Sequence, residues 1–155
     1  MAKSRLQILL DTTMALENSI LHDRVDRPGA ALPASQPSVF IVDDEAMVGE
    51  VVSIVLGLEG FKTRLFTSPA DALEALESAL DKPELLITDY VMEPFNGVEL
   101  IERCRIFAPD LRAILYSGNA DADQSPDYRN IPDAFLSKPF LPKQLIQTVQ
   151  ALLAS

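Results

Sequence analysis

Acidic side chains follow two short apolar segments of this 155-residue chain. Asp43 and Asp44 come directly after segment 39–42, and Asp89 comes directly after segment 85–88. Apolar segments of this length that end in turn signals are typical of buried parallel strands. If these strands are neighbours in one sheet, their C-terminal ends meet at one edge, and we expect the carboxylates to lie there together. Like charges at such a distance are unfavourable unless another group compensates them.

Two further apolar segments end near groups that complement these acids. Ser117 follows segment 114–116, and Lys138 lies just after segment 134–136. Mg²⁺ would compensate crowded carboxylates, because it prefers oxygen ligands and needs few of them from protein. An ammonium and a hydroxyl suit the oxygens of a phosphoryl group. A carboxylate nucleophile, a metal and a cation together favour phosphoryl transfer to an aspartate.

Strand and helix patterns alternate from residue 38 onward. This alternation predicts an α/β domain of five βα units, a flavodoxin-like doubly wound parallel sheet with strand order 2-1-3-4-5. Segment 118–132 has little apolar periodicity and contains Pro126, so it predicts only a weak fourth helix. The predicted strands are 38–42, 61–66, 84–88, 111–116 and 133–137, and the other helices are about 45–58, 68–80, 97–107 and 141–153.

Apolar spacing also predicts which faces of the helices are buried. Met47 and Ile54 fall on the apolar side of the first predicted helix of the domain, and Leu80 falls on that of the second. Ser68 is expected to cap the second helix, since proline follows it at the first helical position.

The N-terminal segment differs in composition from the rest of the chain. Residues 1–27 predict an amphipathic helix, and 28–37 contain three prolines with small residues between them, which indicates a linker. The compact domain is therefore expected at 38–155. The helix suggests homodimerisation or partner docking, and packing of the helix on its own domain is the alternative.

Charge and cysteine content narrow the function classes. The net charge is −10, and residues 1–36 contribute four basic and four acidic groups, so the remaining residues carry the excess. An acidic domain repels nucleic acid. Cys104 is the only cysteine, which excludes a disulfide framework and favours the cytoplasm. Asp11 interrupts the N-terminal apolar residues too early for a signal or membrane helix, so no membrane association is expected.

Four motifs lie at the ends of the predicted strands: Val39-Phe40-Ile41-Val42-Asp43-Asp44-Glu45, Asp89-Tyr90-Val91-Met92 with Asn96-Gly97, Tyr116-Ser117-Gly118, and Lys138-Pro139-Phe140. Together they resemble the receiver domain of two-component response regulators, over about residues 38–153. The resemblance implies a response regulator that takes a phosphoryl group from a histidine kinase or histidine phosphotransfer protein. It would signal to a downstream protein partner or pass the group onward.

The same resemblance implies a role for each site residue. Asp89 is the phosphoacceptor, and Mg²⁺ is held by Asp43, Asp44, Asp89 and the backbone carbonyl of Val91. Ser117 and Lys138 contact the phosphoryl group, Ser117 and Phe135 form a switch, and the Lys138–Pro139 peptide bond is cis.

The chain departs from the family pattern at two residues near the site. Glu93 stands where the family usually has proline, and Pro94 follows it. Phe135 replaces the commoner tyrosine, so a switch there lacks the hydroxyl. The weak fourth helix also changes a surface through which relatives signal.

Two other functions remain as alternatives to a stand-alone regulator. The chain could be the receiver segment of a hybrid histidine kinase. It could also be a phosphatase of the haloacid dehalogenase type with an aspartyl intermediate. That chemistry requires an acid two residues after the nucleophile, and this chain has Val91 at that position. As a receiver, the chain is expected not to be an enzyme, apart from weak self-phosphorylation and self-dephosphorylation.

Overall fold

The computed structural model describes residues 36–118 and 129–154, together with Asp11 and Met14. The chain divides into two units, Met1–Gln36 and Pro37–Ser155. Asp11 and Met14 are helical and exposed. The rest of the predicted N-terminal helix, most of the linker and most of the weak fourth helix lie outside the described residues.

The second unit contains a parallel sheet in the predicted order, β2-β1-β3-β4-β5. The two strands that the acids follow are central neighbours, with Val42 beside Thr88 in the register. All residues of the third strand are buried, as expected of a strand covered on both faces. The strands are β1 Ser38–Val42, β2 Lys62–Phe66, β3 Leu85–Asp89, β4 Arg112–Ser117 and β5 Ala134–Ser137.

Four helices connect or follow these strands among the described residues: α1 Ala46–Leu58, α2 Pro69–Ser78, α3 Gly97–Phe107 and α4 Pro142–Ala154. Their bounds agree with the predicted helices to within two residues. The Ser68 hydroxyl accepts a hydrogen bond from the Asp71 N–H, as a capping residue should. No helix among these residues combines the length and the apolar character that crossing a membrane requires.

The apolar spacing misplaced several side chains, including Phe107 and Leu141, which are exposed. Met47 and Ile54 of α1 are exposed, because this helix turns Gly49 and Leu56 inward instead, with Gly49 lying against the side chain of Leu65. The small residue allows the helix to approach β2 closely.

Leu80 is fully exposed because α2 ends two residues earlier than predicted. Ala79 is extended, and the Lys82 ammonium donates hydrogen bonds to the carbonyl oxygens of Leu76 and Glu77. A lysine in this position satisfies carbonyls that have no partner within the helix.

Helix α3 begins directly against the end of β3. Asn96 and Glu99 form a capping box, in which each side chain accepts a hydrogen bond from the other residue's backbone N–H. A Cβ atom on Gly97 would overlap the carbonyl oxygen of Asp89 and lie 2.7 Å from Leu115 Cδ1. Glycine is therefore required where this helix meets the strand that carries Asp89.

An arginine fixes the segment that enters β5. Arg105 of α3 donates to the carbonyl oxygens of Leu111 and Ile131 and to Asp133 Oδ2, the last at 2.8 Å. Asp133 Oδ2 also accepts the N–H of Ala113 at 2.8 Å. These contacts set the path of the strand that precedes Lys138.

Gly97→Ala should lower the free energy of unfolding by about 2 kcal/mol, because the added methyl group has no space at the end of β3. Gly57→Ala is the matched control. No atom lies within 4 Å of the Cβ position at Gly57, so alanine should stabilise α1 by about 0.5–1 kcal/mol. Urea unfolding of both variants measures the difference, and equal stability of the two would contradict the packing described for Gly97.

Candidate functional site

The structure brings the three predicted acids together at the C-terminal edge of the sheet. Asp43 follows β1, Asp44 comes next, and Asp89 is the last residue of β3. One carboxylate oxygen from each lies within 4.8 Å of the others. Asp43 is fully buried and Asp89 is 7% exposed, whereas Asp44 is exposed. The pocket thus has two acids in its wall and one at its rim.

Each oxygen of Asp43 accepts a hydrogen bond. Oδ1 accepts the backbone N–H of Glu45 at 2.9 Å, and Oδ2 accepts the hydroxyl of Tyr116 at 2.5 Å. A carboxylate removed from water needs such donors, because burial without them is strongly unfavourable. These bonds fix the orientation of the Asp43 carboxylate.

Asp89 is held by its neighbour and by the predicted lysine. Oδ1 accepts the backbone N–H of Tyr90 at 2.8 Å, and Oδ2 lies 3.3 Å from the Nζ of Lys138. The same Nζ atom lies 3.8 Å from Asp43 Oδ2. Lys138 therefore faces both buried acids.

The surroundings raise the pKa of both buried acids above their usual range. For Asp43, burial is the main cause, and the hydrogen bonds from Tyr116 and Glu45 partly offset it. For Asp89, burial again raises the pKa, and the charge and hydrogen bond of Lys138 oppose the change. Each acid also carries repulsion from another carboxylate of the cluster. A further positive charge would favour the ionised forms.

The donor set fits a hard divalent cation. The cluster offers carboxylate oxygens from three residues, the ligand type that Mg²⁺ prefers. Three ionised carboxylates and one ammonium leave two negative charges, which a divalent cation would balance. The exposed position of Asp44 gives the pocket a solvent-facing side.

The other predicted site residues lie on β4, on β5 and in the loop after β3. Ser117 is buried at the end of β4, and its carbonyl oxygen accepts the N–H of Lys138 at 2.9 Å. Val91 lies in the loop after β3 with an exposed side chain. Phe135 of β5 is partly buried and packs against the hydrophobic core. The Lys138–Pro139 peptide bond is cis, as the resemblance implied. The Glu93–Pro94 peptide bond is also cis, which was not predicted from the sequence.

Tyr116 is a site residue to which sequence reasoning assigned no role. It is fully buried, and its ring lies 4.7 Å from Lys138 Nζ and 5.7 Å from the ring of Phe140. Burial raises the pKa of the hydroxyl above its usual value, so the phenol stays a hydrogen-bond donor. A tyrosine at the end of an apolar strand was the available signal, since a buried hydroxyl requires a partner.

The chain belongs to the response regulator receiver domain family, whose model matches residues 39–150. The chain is 30% identical over 118 residues to the DNA-binding response regulator MtrA of Mycolicibacterium paratuberculosis, covering 74% of this chain and 50% of that protein. It is 32% identical over 117 residues to the transcriptional regulatory protein CssR of Bacillus subtilis, covering 75% and 51%. The chain thus spans about half the length of these curated relatives.

Solved structures share the fold. The receiver domain protein of Methanospirillum hungatei, described as CheY-like, superposes with a TM-score of 0.69 at 22% identity, covering 77% of this chain and 95% of that one. The response regulator TrrA of Thermotoga maritima, solved in complex with Mg²⁺-BeF, gives 0.69 at 24% identity, with 76% and 99% covered. At these identities the likeness establishes the fold.

The raised pKa values predict how stability without metal depends on pH. The native state keeps protons on Asp43 and Asp89 to higher pH than the unfolded chain, since both pKa values are raised. The free energy of unfolding should therefore fall as pH rises through the native pKa values. Asp89→Asn removes part of this penalty and should raise the neutral-pH melting temperature by about 3 °C, as ~1 kcal/mol does in a chain of this size.

Thermal unfolding in EDTA across a pH series measures this effect. Asp110→Asn is the matched control, because Asp110 is exposed and lies at the opposite edge of the sheet, before β4. An identical pH dependence for the Asp89→Asn variant and the unaltered chain would contradict the assignment of repulsion to this pocket.

Proposed function

We propose that this receiver domain accepts a phosphoryl group on Asp89 from a histidine kinase or a histidine phosphotransfer protein, with Mg²⁺ bound beside it. The observation that carries the proposal is the position of the Asp89 carboxylate, between the acids that follow β1 and the ammonium of Lys138. A carboxylate used only to cap a turn has no need of this surrounding charge.

The residues of the pocket have different roles in the phosphoryl transfer. A carboxylate oxygen of Asp89 attacks phosphorus, and the bond from phosphorus to the donor imidazole breaks with its electron pair going to nitrogen. The donor ring is already protonated on its other nitrogen, so it leaves as neutral imidazole. Lys138, within 3.3 Å of Asp89 Oδ2, balances negative charge on the phosphoryl oxygens. Ser117 is buried at the end of β4, and its carbonyl oxygen accepts the N–H of Lys138. Its hydroxyl would contact the same phosphoryl oxygens.

The metal would be held by Asp43, Asp44, Asp89 and the backbone carbonyl of Val91. When bound there, Mg²⁺ would neutralise the carboxylates and the incoming phosphoryl oxygens. The Mg²⁺-BeF complex of TrrA supports this assignment, since that protein shares the fold. The raised pKa values of Asp43 and Asp89 are consistent with it, because both carboxyl groups are buried and each is also repelled by another acid of the cluster.

The output of the domain is proposed to be contact with a downstream protein or onward phosphotransfer. The excess of negative charge disfavours nucleic acid as the direct partner of this part of the chain. The homodimer through the N-terminal helix and the cytoplasmic location remain predictions. The Ser117 and Phe135 switch is part of the proposal, and the half-buried position of Phe135 against the core is compatible with it.

No observation favours a phosphatase of the haloacid dehalogenase type. Val91, two residues after Asp89, provides no side-chain acid. The domain is proposed as a phosphoacceptor whose catalysis is limited to its own phosphorylation and dephosphorylation, either alone or as the receiver segment of a hybrid kinase.

Incubation with acetyl phosphate and Mg²⁺, followed by intact mass spectrometry, tests the proposal. We expect the mass of one phosphoryl group to be added, and we expect EDTA to prevent the addition. Asp89→Asn should abolish the modification, because an amide is not a nucleophile of this kind, whereas Asp110→Asn should retain it. Phosphorylation of the Asp89→Asn variant would contradict the assignment of Asp89 as the phosphoacceptor.

A further inference from the structure

Tyr116 connects the two halves of the pocket. It lies in β4 directly before Ser117 and pairs in register with Asp89 of the neighbouring strand. Its side chain is fully buried at the edge of the sheet where the acids converge. A polar aromatic side chain in such a place contributes both a hydroxyl and a ring face.

The hydroxyl and the ring contact groups of opposite charge. The hydroxyl donates to Oδ2 of Asp43 at 2.5 Å, and Lys138 Nζ lies 4.7 Å from the centre of the ring. The carboxylate oxygen and the ammonium are themselves 3.8 Å apart. Tyr116 therefore contacts both Asp43, which is proposed to hold the metal, and Lys138, which is proposed to contact the phosphoryl group.

A second aromatic residue fixes the ring. Phe140 packs edge-on against Tyr116, with the ring centroids 5.7 Å apart. Phe140 follows the Lys138–Pro139 bond, so the same short segment carries the lysine and the ring that holds the tyrosine. The position of Tyr116 is thus determined from the β5 side as well as from its own strand.

We propose that Tyr116 is a positioning residue that orients Asp43 toward the metal through its hydroxyl and holds Lys138 near Asp89 through its ring. The hydrogen bond holds Oδ2 while the N–H of Glu45 holds Oδ1, and together they limit rotation of the Asp43 carboxylate. Hydrogen bonds to a metal-holding group commonly contribute to metal affinity in this way. The proposal rests on the proposed function of the pocket as a metal-assisted phosphoacceptor site.

Two substitutions separate the roles of the hydroxyl and the ring. Tyr116→Phe removes only the hydroxyl and should weaken Mg²⁺ binding about tenfold, measured by isothermal titration calorimetry. Tyr116→Leu also removes the ring and should lower the rate of phosphorylation by acetyl phosphate at saturating Mg²⁺ about fivefold relative to Tyr116→Phe, because Lys138 loses a cation–π contact.

Two comparisons distinguish positioning from a general loss of packing. Ser53→Ala is the matched control. Ser53 of α1 shares a 2.6 Å hydrogen bond with Thr63 of β2, outside the pocket, and alanine removes its hydroxyl. It should leave Mg²⁺ affinity unchanged. In an Asp43→Ala background, where residue 43 has no acceptor for the hydroxyl, Tyr116→Phe should cause no further loss of Mg²⁺ affinity.

The inference is overturned if Tyr116→Phe binds Mg²⁺ as tightly as the unaltered chain, or if the loss persists in the Asp43→Ala background. It is also overturned if the unaltered chain binds no Mg²⁺. Circular dichroism of each variant checks that it folds. Absence of phosphorylation at Asp89 together with intact Mg²⁺ binding would contradict the proposed function alone, because the calorimetric comparison needs no phosphoryl transfer.

Discussion

Asp43 and Asp89 lie side by side at the sheet edge with little access to water, which is unfavourable for two carboxylates. The rest of the site depends on how the structure offsets that free-energy cost. Burial raises the pKa of both carboxyl groups, and only Lys138 among the described residues forms an ion pair with either. Backbone N–H groups and the Tyr116 hydroxyl supply the remaining stabilisation. The pocket is therefore prepared for an added cation, which is the condition that a phosphoacceptor aspartate requires.

The surrounding fold maintains that juxtaposition. The strand order places β1 beside β3, so the acids at their C-terminal ends meet although α1, β2 and α2 lie between them in the chain. Gly97 lets α3 begin against the carbonyl oxygen of Asp89, and the capping box of that helix fixes its first turn. Contacts of Arg105 with the segment before β5 determine the path of the strand that leads to Lys138. Packing and hydrogen bonds around the pocket thus help to set the distances between the charged groups.

Much of this arrangement could be predicted from the sequence, because strand ends follow from short local patterns and the strand order follows from the doubly wound fold class. The acids after β1 and β3 imply a common edge as soon as the strands are parallel neighbours. The exposure of Met47 and Ile54 could not be predicted in the same way, since the small side chain of Gly49 turns a different face of α1 inward. The role of Tyr116 was also missed, because its partners Asp43 and Lys138 lie far from it in sequence.

Proton release on Mg²⁺ binding reports directly on the crowding of the carboxylates. Calorimetric titration of the metal-free chain with MgCl₂, at mildly acidic pH in two buffers of different ionisation enthalpy, measures it. Protons should leave the chain as the cation binds, because the added charge lowers the raised pKa values of Asp43 and Asp89, and asparagine at either position should reduce the release. Equal apparent enthalpies in the two buffers would contradict a pocket whose buried acids are poised for a cation.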